Sequence, residues 1–426
     1  MFQNSKHTLS SNLVNQVSSI IIFLLLPNIL SLGDYAQTIF ISVLMSFIIL
    51  AELGVGFTFG RIMPSIFANE KDEVIEKYKQ TFTVFIIVAN ILGSVLISLI
   101  YYIKYEDILN TILLMILNPI IKILQTYIQI YSLSEDFKNY KNKNIIYSSM
   151  RLIFIIPISY VFGLSGWIGA QILSGIVVLR NIKILKFNIN KFDILILKPL
   201  FIEGFILLIS FVFWQQLLNS SRLFATLYFD DKTIALYGLL HAGYAILLSL
   251  FISIFIPVTI SSLKTIKNDP KNTINKLLNS ILKSSIVLFP IIIISIEITP
   301  YLYNFFFPKY DININILKYQ LLSLSGIPIL TVLGTVFVGL KHPVKLLIIY
   351  SLAFLVSYLV MVICDLGIIR AAVAQFVGIM FLSILLLFST MYFFKEYIED
   401  KVKKTIQILM VVFFPYLIYY FLRCFI

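Results

Sequence analysis

Six ionisable side chains lie inside or at the edge of long apolar stretches: Glu52, Lys122, Arg151, Glu203, Arg222 and Glu297. An ionised group at the centre of a bilayer costs roughly 2.5 to 3.5 kcal/mol, so each either has a partner or serves a path for polar cargo. Lys122, in LNPIIKILQTYIQIY, has Asn118, Gln125 and Gln129 within two helical turns, a polar stripe that should face a wet interior. It reads as a cavity residue or as a structural pair with a carboxylate such as Glu52. Glu52, in AELGVGFTFGR, stands beside Gly54, Gly56 and Gly60, and small residues permit close helix approach in lipid. Its alternatives are a carboxylate held at that contact and a cavity or ion-coupling group.

Arg222 follows Gln215, Gln216 and Asn219, and its guanidinium fork suits phosphate oxygens, although snorkelling to the interface competes with that role. Arg151, nearer the start of its apolar run, is placed for snorkelling. Glu203 follows Pro199 at a helix start, where a carboxylate suits the dipole. Glu297 precedes Pro300 and is a candidate for coupling an ion. Tyr127, Tyr131 and Trp214 neighbour the polar stripes, where they would stack on sugar rings or serve as apolar bulk. The three histidines form no metal-ligand spacing, and two distant cysteines suggest neither a disulfide framework nor a metal site.

The elements that position these groups follow from composition. The chain of 426 residues is 59% hydrophobic and only 13% charged, with a mean hydropathy of +0.96, which excludes a soluble globule. Spans of about 20 apolar residues are expected near 12–32, 37–60, 81–103, 107–132, 145–163 and 165–186. A second set is expected near 199–228, 234–260, 281–306, 315–340, 344–364 and 367–394, with one more apolar stretch at 405–423. Most of the 33 Lys and Arg fall at the N-terminus and in alternate connections, around 61–80, 133–144, 180–198, 261–283, 341–345 and 395–404. By the positive-inside rule those connections and the N-terminus are cytoplasmic. The net charge of +12 therefore reports topology and not a nucleic-acid partner.

The two sets echo each other. Tyr35 in GDYAQTIF recurs as Tyr237 in LYGLLHAG, GWIGAQ recurs as GIIRAA, and Asn15 and Gln16 recur as Gln215 and Gln216, each about 200 positions on. A duplicated unit of six helices starts each half on the same side, a parallel repeat about an axis along the membrane normal. The expected fold is all-α and polytopic: a first lobe over 1–186, a cytoplasmic linker over 187–198 and a second lobe over 199–394. Residues 395–426 would hold a cytoplasmic turn and an extra apolar segment, a thirteenth span or an interfacial stretch.

No GxxxxGK[ST] loop, nucleophile elbow or HExxH motif occurs, and no sizeable connection on the outer side carries catalytic side chains. Polar groups within many spans joined by short connections point to a transporter rather than an enzyme, with no cofactor expected.

The chain also resembles the polysaccharide-repeat or O-antigen flippases (Wzx type), in the superfamily of multidrug and toxin extruders and lipid II flippases. The resemblance rests on GDYAQTIF with AELGVGFTFGR, YGLLHAGY with FIPVTISSLK, GIPILTVLGTVFVGLKHPVK and GIIRAAVAQ. It implies two six-helix lobes around a cationic path that alternates between the two faces of a bacterial inner membrane. The implied substrate is an undecaprenyl-diphosphate-linked oligosaccharide of lipopolysaccharide or capsule type, and the implied partners are the bilayer and other polysaccharide-assembly proteins. Lys122, Arg151 and Arg222 would serve the diphosphate, with Glu52 or Glu297 as ion-coupling groups. Outward movement of the anion gains roughly 2.3 kcal/mol per charge per 100 mV, so ATP is not required. The alternatives are a cation-coupled drug or metabolite antiporter on the same fold and, from another class, a polysaccharide polymerase.

Overall fold

The computed structural model describes residues 2–134, 136–180, 192–266, 268–310, 312–340, 342–400, 403–410 and 412. Among them there is no strand. The helices are α1 (Phe2–Ile29), α2 (Leu32–Phe47), α3 (Val55–Asn69), α4 (Asp72–Tyr105), α5 (Ile108–Leu133), α6 (Phe137–Arg180) and α7 (Ile194–Leu218). There follow α8 (Ser220–Tyr228), α9 (Asp231–Thr265), α10 (Pro270–Phe306), α11 (Ile314–Ser323), α12 (Ile327–Gly339), α13 (Pro343–Ile363) and α14 (Arg370–Phe393). Loop carboxylates and amides start many of them: Asp107, Asp230 and Asp269 each accept a backbone N–H three residues on, at 3.1 Å.

The side chains are sorted for lipid. On α4 the exposed stripe Leu92, Leu96, Leu99 and Ile103 is wholly apolar, while Asn90, Ser94, Ser98 and Tyr101 are buried on the other face. Polar groups inside and hydrocarbon outside invert the pattern of a water-soluble helix. Nine helices among the described residues are long and apolar enough to cross a membrane, or ten if the pair Ile194–Ile202 and Gly204–Leu218, bent by 51°, is one span. The chain is a multi-pass membrane protein.

α6 is two spans. Its 44 residues would reach about 66 Å as one straight helix, twice a hydrocarbon core. Instead the backbone leaves helical geometry at Gly163 (φ 57°, ψ −132°), and a β-carbon on Gly166 would collide with the Ile158 carbonyl. Residues eight apart cannot meet in a straight helix, so the chain doubles back between the two arms expected from sequence.

The contacts separate two units, Met1–Ile209 and Ser210–Ile426. The first holds α1, the broken pair α2 and α3, α4, α5 and both arms of α6. Its border falls inside α7, whose Leu197 and Leu200 pack with Val55, Phe59, Phe82 and Ile86. The second holds the remainder of α7 with α8, then α9, α10, the pair α11 and α12, α13 and α14. Within it α13 packs on α14 and α12 on α9, and Tyr237 at the start of α9 donates to the Ile368 carbonyl and accepts from the Ala372 N–H. Of the expected linker over 187–198, residues 187–191 lie outside the described residues and α7 already begins at Ile194 within it; most of the stretch 405–423 also lies outside the described residues.

Candidate functional site

The single helix expected over 37–60 is interrupted. α2 ends at Phe47, Ile48–Glu52 form one 3-10 turn, and Leu53 (φ 52°) and Gly54 (φ 83°) adopt left-handed backbone before α3 begins. A β-carbon on Gly54 would overlap the Gly204 backbone of α7, and one on Gly204 would overlap Gly54 in return. Glycine is required here for two reasons: the backbone approach leaves no room, and a side chain at positive φ is strained. Irregular backbone within a membrane survives where protein covers it or where it lines a cavity. This break does both, and it delivers Glu52.

Glu52 meets Lys122 of α5. The ammonium donates to Oε1 at 2.9 Å, with the lysine and glutamate side chains 19% and 12% exposed. The pair lies in a cavity of about 230 Å³ lined also by Gln125, Gln129, Phe57 and Phe82. Removing one member of such a pair strands the other charge at a cost of about 3 to 5 kcal/mol when fully buried, and of less here because both retain some exposure. Gly56 belongs to the design too, since a β-carbon there would lie 2.8 Å from Glu52 Oε2. Both sequence readings of Lys122, a cavity residue and a partner of Glu52, describe the same arrangement.

The polar stripe of α5 does not stay together. Gln125 and Gln129 face the cavity, but Asn118 is buried against α4, where its Nδ2 donates to Ser94 Oγ at 3.3 Å. Pro119, directly after Asn118, has no N–H to give the Met115 carbonyl, which accepts instead from Ser94 Oγ at 3.1 Å. Thr126, Phe57, Phe82 and Ile86 also line the cavity and were not singled out from sequence. Thr126 had a signal, since it stands one turn beyond Lys122, and its Oγ1 donates to the Lys122 carbonyl at 2.8 Å. Phe57, Phe82 and Ile86 had none among so many apolar residues. Tyr127 packs with Leu124 and Val178, and Trp214 lies 5.7 Å from the Tyr350 ring.

Arg151, Arg222 and Glu297 are not among the residues that line this cavity. Arg151 on α6 lies 5.6 Å from the centroid of the Tyr147 ring, one turn away. Glu297 is on the exposed face of α10. The Glu203 side chain lies outside the described set.

Arg222 belongs to the second unit. α7 stops at Leu218, and Arg222 sits on the short helix α8, where its Nη2 reaches Asn219 Oδ1 at 3.4 Å. The same oxygen lies 2.9 Å from His241 Nε2 of α9. An amide oxygen only accepts, so the imidazole carries its proton on Nε2. His241, 3% exposed, was not placed in a cluster by sequence, because its partner is 22 residues away on another helix.

No protein-family model and no curated protein matches the sequence. Solved structures do match. A lipid II flippase MurJ in an inward closed conformation superposes with a TM-score of 0.67 at 17% identity, covering 98% of each chain. An inward-facing multidrug resistance MATE family transporter of the MOP superfamily gives 0.60 at 14% identity, covering 94% of this chain and 95% of its own. A MATE in complex with MaD3S gives 0.63 at 15%, covering 93% and 94%. This chain has their fold. On the MurJ and MATE fold, the interrupted second span carries Glu52 and the fourth span carries Lys122, both within the first unit.

Proposed function

We propose that the protein is a flippase for an undecaprenyl-diphosphate-linked oligosaccharide, working by alternating access in a bacterial inner membrane with its N-terminus in the cytoplasm. The observation that carries this reading is the Lys122–Glu52 pair inside a span, facing a polar cavity. Lys122 is a cation whose counter-ion an incoming anion can replace. At about 230 Å³ the cavity suits a diphosphate and not a whole oligosaccharide, so the sugars and the lipid tail would stay outside it. Gln125 and Gln129 supply amide donors for phosphate oxygens. Arg151 and Arg222 are proposed as further phosphate contacts along the path.

The exchange has a consequence for Glu52. A phosphate that takes over Lys122 leaves a largely buried carboxylate without its cation, which is costly, so the incoming anion and Glu52 compete for Lys122. The fold it shares with a protein titled a lipid II flippase supports the same substrate class.

The second reading is a cation-coupled drug or metabolite antiporter, favoured by the MATE transporters among the fold neighbours and by Glu52 lining the cavity. Glu297 would then have to couple an ion from the exposed face of α10, which weakens it. The discriminating experiment is uptake of a labelled lipid-diphosphate oligosaccharide by inside-out vesicles, beside cationic drug efflux, with Lys122→Met and Arg222→Ala. Flipping by the wild type and a loss of at least tenfold in Lys122→Met is expected. Undiminished flipping in both variants, or drug efflux without flipping, would overturn the flippase reading.

A further inference from the structure

The basic ends of α9 and α10 enclose a cleft of about 660 Å³. It is lined by Val258, Ser262 and Thr265 of α9 and by Asn272, Lys276 and Lys283 of α10, among others. Thr265 Oγ1 and Thr273 Oγ1, both on residues that line it, lie 3.0 Å apart. Asp269 also borders it, but both its oxygens are engaged in capping α10: they accept from the Asn272 backbone N–H at 3.1 Å and from Asn272 Nδ2 at 2.7 Å. These hydrogen bonds, and to a smaller extent the charge of Lys276, hold its carboxyl below the usual carboxylate range. No ion pair involves Lys276 or Lys283 among the described residues, whereas Lys271, one turn before Lys276, pairs with Glu399 at 3.1 Å.

The two lysines stand on one exposed face, and that face continues into hydrocarbon. Asn272, Lys276, Asn279 and Lys283 lead at helical spacing to Ile286 and Val287, which are 61% and 63% exposed, and then to Ile291 and Ile294. On α9 the wall of the cleft likewise gives way to exposed Ile254 and Leu250. Lys276 and Lys283 are separated by about 10 Å along the helix, and Lys283 lies only about 5 Å from the first exposed isoleucine. That is the dimension of a headgroup layer on a hydrocarbon layer. A soluble anion would use the lysines alone. A ligand with an anionic head and acyl chains matches the whole stripe.

We propose that this cleft binds an anionic phospholipid, its phosphate between Lys276 and Lys283 and its chains along Val287, Ile291 and Ile294. Basic pockets between transmembrane helices are suited to such headgroups, at a strength set by the number of lysines near the surface. The site belongs to the second unit alone and does not depend on the flippase reading.

The test is lipid retention by the purified full chain, titrated with phosphatidylglycerol and with phosphatidylcholine and read by native mass spectrometry. Phosphatidylglycerol should be retained in preference, and Lys276→Gln with Lys283→Gln together should weaken it by about thirtyfold. Lys271→Gln, outside the cleft, should leave retention unchanged. Lys276→Glu serves as a second variant, and unaltered unfolding temperatures in detergent would confirm that the exposed substitutions leave the fold intact. Equal retention of both lipids, or equal loss in Lys271→Gln, would overturn the proposal. So would full displacement of the lipid by inorganic phosphate, which would identify a soluble anion as the ligand.

Discussion

Gly54 and Gly204 pack backbone on backbone, so that neither position has room for a β-carbon. This contact joins the interrupted second span to α7, and it holds the turn that ends in Glu52.

The first prediction concerns that contact. Gly54→Ala adds left-handed strain to overpacking and should destabilise the protein by about 2 to 4 kcal/mol. Thermal unfolding in detergent measures it. Gly33, with nothing near its missing side chain, is the control, and Gly33→Ala should be tolerated. Equal unfolding temperatures for the two variants would contradict the role given to the break.

A second prediction separates the roles of Lys122 and Glu52. In a double-mutant cycle of Lys122→Met and Glu52→Gln the coupling should be about 1 to 3 kcal/mol, because each single change strands a half-buried charge and the double change strands none. Inorganic diphosphate binding should be strengthened in Glu52→Gln and lost in Lys122→Met. Equal diphosphate affinity in the wild type and Glu52→Gln would rule out the counter-ion exchange.

Asn219 offers a third test. Its Oδ1 serves both Arg222 and the buried His241. Asn219→Ala should cost about 2 kcal/mol by removing an acceptor from His241, whereas Asn219→Asp keeps an acceptor there and should lie within about 1 kcal/mol of the wild type. Nitrogen NMR of His241 should report the tautomer protonated at Nε2. The opposite tautomer would show that the Asn219 contact does not form.

The fourth prediction is a pH dependence. The Lys77 ammonium donates to Asp193 at 2.7 Å, and with the Leu195 N–H it holds the Asp193 carboxyl below its ordinary value. A carboxylate whose value is depressed in the folded state adds stability above its unfolded value, and that stability is lost as pH falls through the folded one. Wild type and Asp193→Asn should therefore differ in unfolding temperature at pH 7 and converge only in acid, below the ordinary aspartate range. A difference that persists in acid would assign the effect to packing.

What could be read from sequence is what lipid imposes on every segment separately. Spans must be apolar over a fixed length, and charge inside them must be accounted for, so the all-α polytopic fold and the exceptional status of Lys122 and Glu52 were legible in one dimension. The turn at Gly163 was visible as a boundary between two spans. The break at Leu53 and Gly54 was not, because the glycine it packs against lies 150 residues later in the chain.

Partnership was likewise decided only in three dimensions. Sequence named Glu52 as a candidate partner for Lys122, but their 2.9 Å contact depends on the packing of α3, α4 and α5 around the interrupted turn. Asn118 shows the reverse: at helical spacing from Lys122 it belongs to the same stripe, yet it bonds to Ser94 on a neighbouring helix. Helical periodicity assigns a residue to a face. Which neighbour that face meets, and whether a cavity or a buried polar contact results, is set by the other helices packed against it.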